Sequence, residues 1–479
     1  MAGGVFTFGP YTFDAKARQL RREDELVPLG HREADLLTVL LVRAGTIVTK
    51  DDLARLVWSD VAVTDNSVEQ AVSGLRRALD PASGRRYIET RARQGYRFAA
   101  PVTEVPRRES DAVLDALLAP HRAWLDGRRA LETLDPAEIH RARAVFTQVV
   151  GEAPALAPAR VGLANACALQ FEMTRADRDP DRASLADAVE HAREACRLEP
   201  GYGEAWATLG FVLERVGRRE DAVAALRRAV MLEPDNWRHH LRLSYGTWGE
   251  ERLRAAGRTL SLLPGLGLAH WLAATVHVAR QAFGDAEREV TSGIESQDRD
   301  SGEVRRFSAV ALHWLAGLLR LRAGDETGAI AAFHRELAAE RQGHLYAREC
   351  VANTHYAIGA LHLRHARWDE AAAAFGAALE RVESHGPARV GLTHALGRGR
   401  PTGEPGGADA IGSDRVVAAA VHLTLAQRHD EVPTLLARTL AEAGPGSTGW
   451  WLPIEPVLQP WQASPAWAEV LARLRARAA

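Results

Sequence analysis

One spacing limits what this chain of 479 residues can fold into more than any other feature. Pro200 and Pro234 stand 34 positions apart, and Pro154, Pro200 and Pro234 each follow a small residue, Ala142, Ala188 or Ala222, by twelve. A proline that repeatedly ends a segment, about three helical turns after an alanine, describes antiparallel helices. They approach closely where side chains are small and stop where a backbone N–H is missing. The gap from Pro154 to Pro200 is 46, longer by twelve, and the polar segment 174–182 is where the extra residues fit. A two-helix unit of this size cannot bury its apolar face alone, so stacked copies share one continuous core.

Within the best-formed unit Trp206, Leu209, Gly210, Leu213, Ala222, Leu226 and Pro234 fall on W-x2-L-G-x2-Y…A-x3-F…P, with leucine for the tyrosine and the phenylalanine. Further units centre on Gly317, Ala329 and Phe333 and on Gly359, Ala371 and Phe375. Between Trp237 and Arg305 the helical period persists without most landmarks, leaving the repeat number there open. These residues resemble the tetratricopeptide (TPR) family. The resemblance implies an all-α superhelical solenoid over 112–385 that binds a protein, peptide or small ligand, or mediates oligomerisation. The Gly- and Pro-rich stretch 386–413 reads as a flexible loop, and 414–479 as a degenerate helical repeat. Trp450-Trp451-Leu452-Pro453 then leads to a final helix over 465–477 that caps the exposed end.

The first hundred residues differ in kind. Short β-type runs at 5–8, 11–13, 18–21 and 26–28 precede helices at 33–42, after Thr49, and at 66–79, and a hairpin at 87–99 closes the segment. In the third helix Val68, Val72, Leu75 and Leu79 share a stripe, and Asn66, Gln70, Ser73, Gly74 and Arg77 are assigned to the opposite face. Arg76, Arg77, Arg85, Arg86, Arg91, Arg93 and Arg97 face only Asp80 and Glu89 over the same stretch. A whole-chain net charge of −2 conceals this local excess. Of 60 basic residues only Lys16 and Lys50 are lysine, so any single arginine is weak testimony.

The blocks Phe8-Gly9-Pro10-Tyr11, Arg32-Glu33-Ala34-Asp35-Leu36-Leu37, Leu53-Ala54-Arg55-Leu56-Val57-Trp58, Leu75-Arg76-Arg77-Ala78-Leu79 and Gly95-Tyr96-Arg97-Phe98 occur in order. Together they resemble the OmpR/PhoB-type winged helix-turn-helix family over about 5–102. The resemblance implies an N-terminal α+β domain, 1–103, whose helix 66–79 enters the major groove of promoter DNA and whose wing lies over the minor groove. The loop 59–65, ending on Ser59 and Asp65, becomes a contact for RNA polymerase. The expected DNA-binding set is Asn66, Gln70, Ser73, Arg76, Arg77, Thr90, Arg91, Arg93 and Arg97. In it Asn66 and Gln70 pair with adenine, Arg76 and Arg77 contact phosphate, and Arg91 or Arg93 enters the minor groove. Ser73 and Gly74 stand where family members often carry large basic residues.

The expectation is a cytoplasmic one-component transcriptional regulator resembling soluble CadC-like proteins. A short charged linker, 104–111, replaces a membrane anchor, and no receiver-like βαβ pattern occurs. The alternative is a TPR scaffold whose winged helix is a docking module with weak or lost DNA binding. With so few reading residues, binding by a homodimer on adjacent half-sites is expected. No enzyme motif is present: there is no P-loop, H-E-x-x-H or G-x-S-x-G. His355, His362 and His365 share a helical face, but His355 and His362 occupy landmark positions of the repeat and are read as packing residues, so neither metal nor cofactor is expected. Cys167, Cys196 and Cys350 are too scattered for a disulfide framework or a zinc module.

Overall fold

The computed structural model describes residues 4–15, 17–23, 25–57, 65–79, 87–91, 94–105, 109–299, 309–400 and 413–479. The chain divides into two compact units, residues 1–119 and 120–479.

The first unit opens with β1 (Val5–Phe8), β2 (Tyr11–Asp14), β3 (Gln19–Arg22) and β4 (Glu25–Val27), followed by α1 (His31–Val42), β5 (Ile47–Val48), α2 (Lys50–Val57) and α3 (Asp65–Leu79). It closes with β6 (Ile88–Arg91), β7 (Gly95–Phe98) and β8 (Thr103–Val105). One antiparallel sheet has the order β4-β3-β2-β1-β8, the other β5-β7-β6. β8 corrects the sequence reading of 104–111 as linker: Glu104 and Val105 pair with Phe6 and Val5, and helix resumes at Glu109. Alternation along β1 and β2 sends Phe8, Tyr11 and Phe13 inward, where they meet Leu36, Leu37 and Leu40 of α1, Val72 and Leu75 of α3, and Phe98. Gly95, at φ +132, lies where any Cβ would overlap the Val48 carbonyl, so only glycine lets β5 and β7 approach there.

α4 (Glu109–Glu132) leads into the second unit, which continues as helices joined by short turns. They are α5 (Pro136–Glu152), α6 (Ala157–Thr174), α7 (Arg182–Leu198), α8 (Gly203–Arg215), α9 (Arg219–Leu232), α10 (Trp237–Gly246), α11 (Gly249–Leu262), α12 (Gly267–Ala279) and α13 (Phe283–Arg299). After them come α14 (Leu312–Arg322), α15 (Glu326–Ala339), α16 (Ala347–Arg364), α17 (Trp368–Arg381), α18 (Gly386–Leu396), α19 (Ser413–Leu425), α20 (Glu431–Glu442) and α21 (Trp467–Ala478). The unit is the TPR-type stack that the 34-residue spacing predicts. The region of faded landmarks holds two ordinary hairpins, α10 with α11 and α12 with α13. The inserted residues only partly fall at 174–182, because α6 and α7, of 18 and 17 residues, are also longer than α8 and α9, of 13 and 14.

Small residues do the work assigned to them. A Cβ on Gly210 would stand 2.6 Å from Leu226 Cγ, and one on Gly359 2.6 Å from the ring of Phe375, so these helices touch only because the side chain is absent. The position of Trp206 also repeats as chemistry. Trp206 Nε1 donates to the Pro200 carbonyl (2.9 Å), Arg160 Nε to the Pro154 carbonyl (2.7 Å), and His240 Nε2 lies 2.8 Å from the Pro234 carbonyl. Three different side chains thus satisfy the same carbonyl, six residues back, at the end of the preceding helix.

Two expectations need correction. Residues 386–396 are helix rather than flexible loop: Pro387 sits in the first turn, where its missing N–H costs nothing, and His385 Nδ1 accepts from Ala388 N at 3.1 Å. The rest of that stretch, 401–412, lies outside the described residues. The final helix does not simply cap the last repeat. It packs on α20 and also on α11 and α12, where Arg280 Nε donates to the Ala478 carbonyl (2.7 Å) and Glu250 N to the Ala479 carbonyl (3.3 Å). Between α20 and α21, Trp450 and Trp451 reach inward to Trp271 and Trp314 with ring centroids 6.2–6.3 Å apart. The superhelix therefore closes on its own middle. No described helix is long and apolar enough to cross a membrane.

Candidate nucleic-acid interface

The site is built on α3. Its stripe of Val68, Val72, Leu75 and Leu79 is buried, and Tyr11 Oη donates to the Leu79 carbonyl (2.7 Å), fixing the end of the helix to the sheet. At the start of α2, Thr49 Oγ1 accepts from Asp52 N (3.1 Å), the cap expected from sequence. α1 begins without a side-chain cap at Gly30, and Glu33 instead reaches back to the Gly30 N–H (2.8 Å).

The outward face of α3 carries Gln70, Ser73 and Arg77, all exposed. Gly74 does not belong with them. It is buried against α1, and a Cβ there would overlap the carboxylate of Glu33. Its smallness serves the packing of α1 on α3 and says nothing about the outward face. Glu69, beside Gln70, was not singled out by sequence; it is exposed and bound by Lys50 Nζ at 2.5 Å, which offsets its charge. Asn66 lies in the first turn of α3, and its side chain is outside the described residues.

Arg76 and Arg77 part company. Arg76 turns to the hairpin, donating from Nε and Nη2 to the Ile88 carbonyl (3.2 and 2.9 Å) and from Nη2 to Thr90 Oγ1 (2.8 Å), with its guanidinium 5.9 Å from the Tyr96 ring centre. Those donors are committed within the domain, so Arg76 and Thr90 tie the helix to the wing. On the hairpin Arg91 Nη2 and Arg97 Nη2 both donate to Glu89 Oε2, at 2.9 and 2.7 Å. The Arg97 hydrogen bond, followed by the charges of Arg97 and Arg91, holds the Glu89 carboxyl below its usual range. One carboxylate against two guanidinium groups leaves the hairpin cationic and its arginines oriented. Glu89 was counted from sequence only as a charge against the patch; that it organises the patch required the strand register Glu89 opposite Arg97. Arg85, Arg86, Arg93 and residues 59–64 of the loop expected to contact RNA polymerase lie outside the described residues. Among the described residues, no cluster of His, Cys, Asp and Glu has a metal-binding arrangement.

This helix and hairpin lie within residues 23–98, which match the family described as "Transcriptional regulatory protein, C terminal". The transcriptional regulator HilA of Salmonella typhimurium is 38% identical over 100 residues, covering 21% of this chain and 18% of HilA. The transcriptional activator CadC of Escherichia coli is 27% identical over 112 residues, covering 23% of this chain and 22% of CadC. The DNA-binding domain of RstA from Klebsiella pneumoniae, solved in complex with the RstA box, is 35% identical over 20% of this chain and 96% of that domain, with a TM-score of 0.18. The chain thus spans less than a quarter of the length of these curated relatives. The first unit is a winged helix-turn-helix domain of the OmpR/PhoB type, the DNA-binding class found in transcriptional regulators. In this chain it precedes a TPR-type array.

Proposed function

We propose that the protein is a transcriptional regulator that binds duplex promoter DNA through its first unit and is controlled through its helical array. The observation that carries this is the exposed row Gln70, Ser73 and Arg77 on a helix locked by Arg76 to a cationic hairpin. A helix of this kind reads base edges in the major groove while flanking guanidinium groups neutralise phosphates. Asn66 and Gln70 are assigned to adenine, Ser73 to a base edge or phosphate, Arg77 to phosphate, and Arg91, Arg93 and Arg97 to the minor groove and its phosphates. Three described reading residues make a small footprint, so two copies on adjacent half-sites are expected.

The test is salt dependence. Genomic fragments selected by the full chain should bind with affinity that falls steeply as salt rises, and Arg77→Ala should flatten the slope of log K against log salt by about one unit. Recovery of no preferred fragment sinks the reading and favours a scaffold.

A further inference from the structure

The first helices of three successive hairpins, α6, α8 and α10, place Asn165, Thr208 and Arg242 in one row. Arg242 Nη1 donates to Thr208 Oγ1 (2.8 Å), Arg242 Nη2 to Asn165 Oδ1 (2.7 Å), and Asn165 Nδ2 to Thr208 Oγ1 (3.2 Å). The guanidinium lies over the ring of Phe211, 5.4 Å from its centre. A cavity of about 160 Å³ opens against Asn165 and Arg242 of this row and is lined on its apolar side by residues that include Leu131, Leu169, Leu241 and Leu268.

The charges around the cavity are not equally matched. Arg128 stands 3.6 Å from Glu132 and 3.5 Å from Glu204, Arg238 is 2.5 Å from Glu132, and Arg215 is 2.6 Å from Glu172. Arg242 has only neutral oxygens as partners in the bonds above. Burial, opposed in part by Glu204 and reinforced by Arg238, Arg128 and Arg215, pulls its guanidinium down to about 10. Half-buried, and held by an amide and a hydroxyl, this cation feels the carboxylate of Glu204 through its charge alone. The same wall contains His239. Its Nε2 lies 3.0 Å from Glu233 Oε2, and its Nδ1 is buried with no hydrogen-bond partner.

We propose that this cavity binds a small organic monoanion, its carboxylate on Arg242 and its apolar body against the four leucines. Arg128, Arg215, Arg238 and Arg242 line the cavity against only Glu132 and Glu204, an excess of positive charge that favours a small anion over a neutral or cationic ligand. Guanidinium groups stack on aromatic rings along the wall: Arg215 lies 4.5 Å from the Phe211 ring centre and Arg238 4.4 Å from that of Trp237. The inference gives a ligand class to the sensing half of the regulator proposed above and rests on that reading for its regulatory meaning. Its test contains no DNA, so failure of DNA binding and failure of the pocket are read separately.

The full-length protein is titrated by calorimetry and thermal shift with benzoate, phenylacetate and indole-3-acetate, each against its uncharged amide. The acids are expected to bind and raise the melting temperature, with each amide weaker by about tenfold or more. Arg242→Gln, which retains an N–H donor for the row, should weaken the acids by a similar factor. Leu169→Trp, which fills the cavity and leaves the charges alone, should do the same and serves where the first variant fails to fold. Binding of none of the three acids at millimolar concentration, equal binding of acid and amide, or unchanged binding by a folded variant overturns the proposal.

Discussion

Arg76 and Arg77 are neighbours in sequence with the same side chain, and the fold gives them opposite tasks. Arg77 points outward, whereas Arg76 is consumed by three hydrogen bonds to the hairpin. Arg76→Ala should destabilise the first unit by about 1.5–3 kcal/mol, read by chemical denaturation, because charged donors and a buried carbonyl partner are lost together. Arg77→Ala should leave stability within about 0.5 kcal/mol of the parent. A second residue-scale contrast sits at Tyr356, which donates to the fully buried Glu455 and packs beside His385 with ring centres 5.4 Å apart. Burial lifts the Glu455 carboxyl to about 7, against roughly 4.3 when unfolded. The native state therefore keeps a proton that the unfolded chain has lost, and this contribution falls as pH rises through that window. Burial pushes His385 down to about 4, so its contribution is present above its unfolded value and lost as pH falls towards 4. Glu455→Gln separates the two. Its urea midpoint should exceed that of the parent above pH 7, and the gap should narrow as pH falls and close by about pH 4.

At the scale of elements, the period was legible because each hairpin repeats one steric problem, a small residue facing a large one. Gly317 lies so close to Phe333 that a Cβ would overlap the ring, whereas Gly257, on the exposed side of α11, has nothing near it. Gly317→Val should thus cost about 1–3 kcal/mol or more through overpacking, while Gly257→Ala should stabilise by about 0.5–1 kcal/mol, both read from thermal or urea melts. Elements without such repetition were harder to read. β8 is three residues with no apolar alternation, and it forms because β1 offers an unpaired edge about a hundred positions earlier. Gly74 was misplaced by one face because helical spacing leaves borderline positions undecided, and only the approach of α1 with Glu33 settles which side it serves.

The whole second unit winds until its end meets its middle. Arg175 pairs with Glu349, Ser384 Oγ donates to the Ala176 carbonyl (3.0 Å), and Leu345 N donates to the Leu134 carbonyl (2.8 Å), so repeats some two hundred positions apart are in contact. Removing residues 449–479 takes away Trp450, Trp451, Ile454 and the buried Trp467 and exposes apolar surface on α12 and α14. The truncated chain should melt well below the parent or aggregate, in contrast to an open solenoid, where loss of a terminal cap is felt mainly by its neighbour. The sequence by itself determined both architectures, the third helix of the first unit with its buried stripe, and the basic hairpin. These rest on local periodicity and on residues that meet within one supersecondary unit. Only the tertiary structure decided that Arg76 braces the wing, that Glu89 gathers Arg91 and Arg97, that the last helix returns to α11 and α12, and that Asn165, Thr208 and Arg242 form one row. The first two turn on which rotamer and strand register the hairpin adopts, and the last two on superhelical pitch, which sums small rotations over many residues and leaves no local mark in the chain.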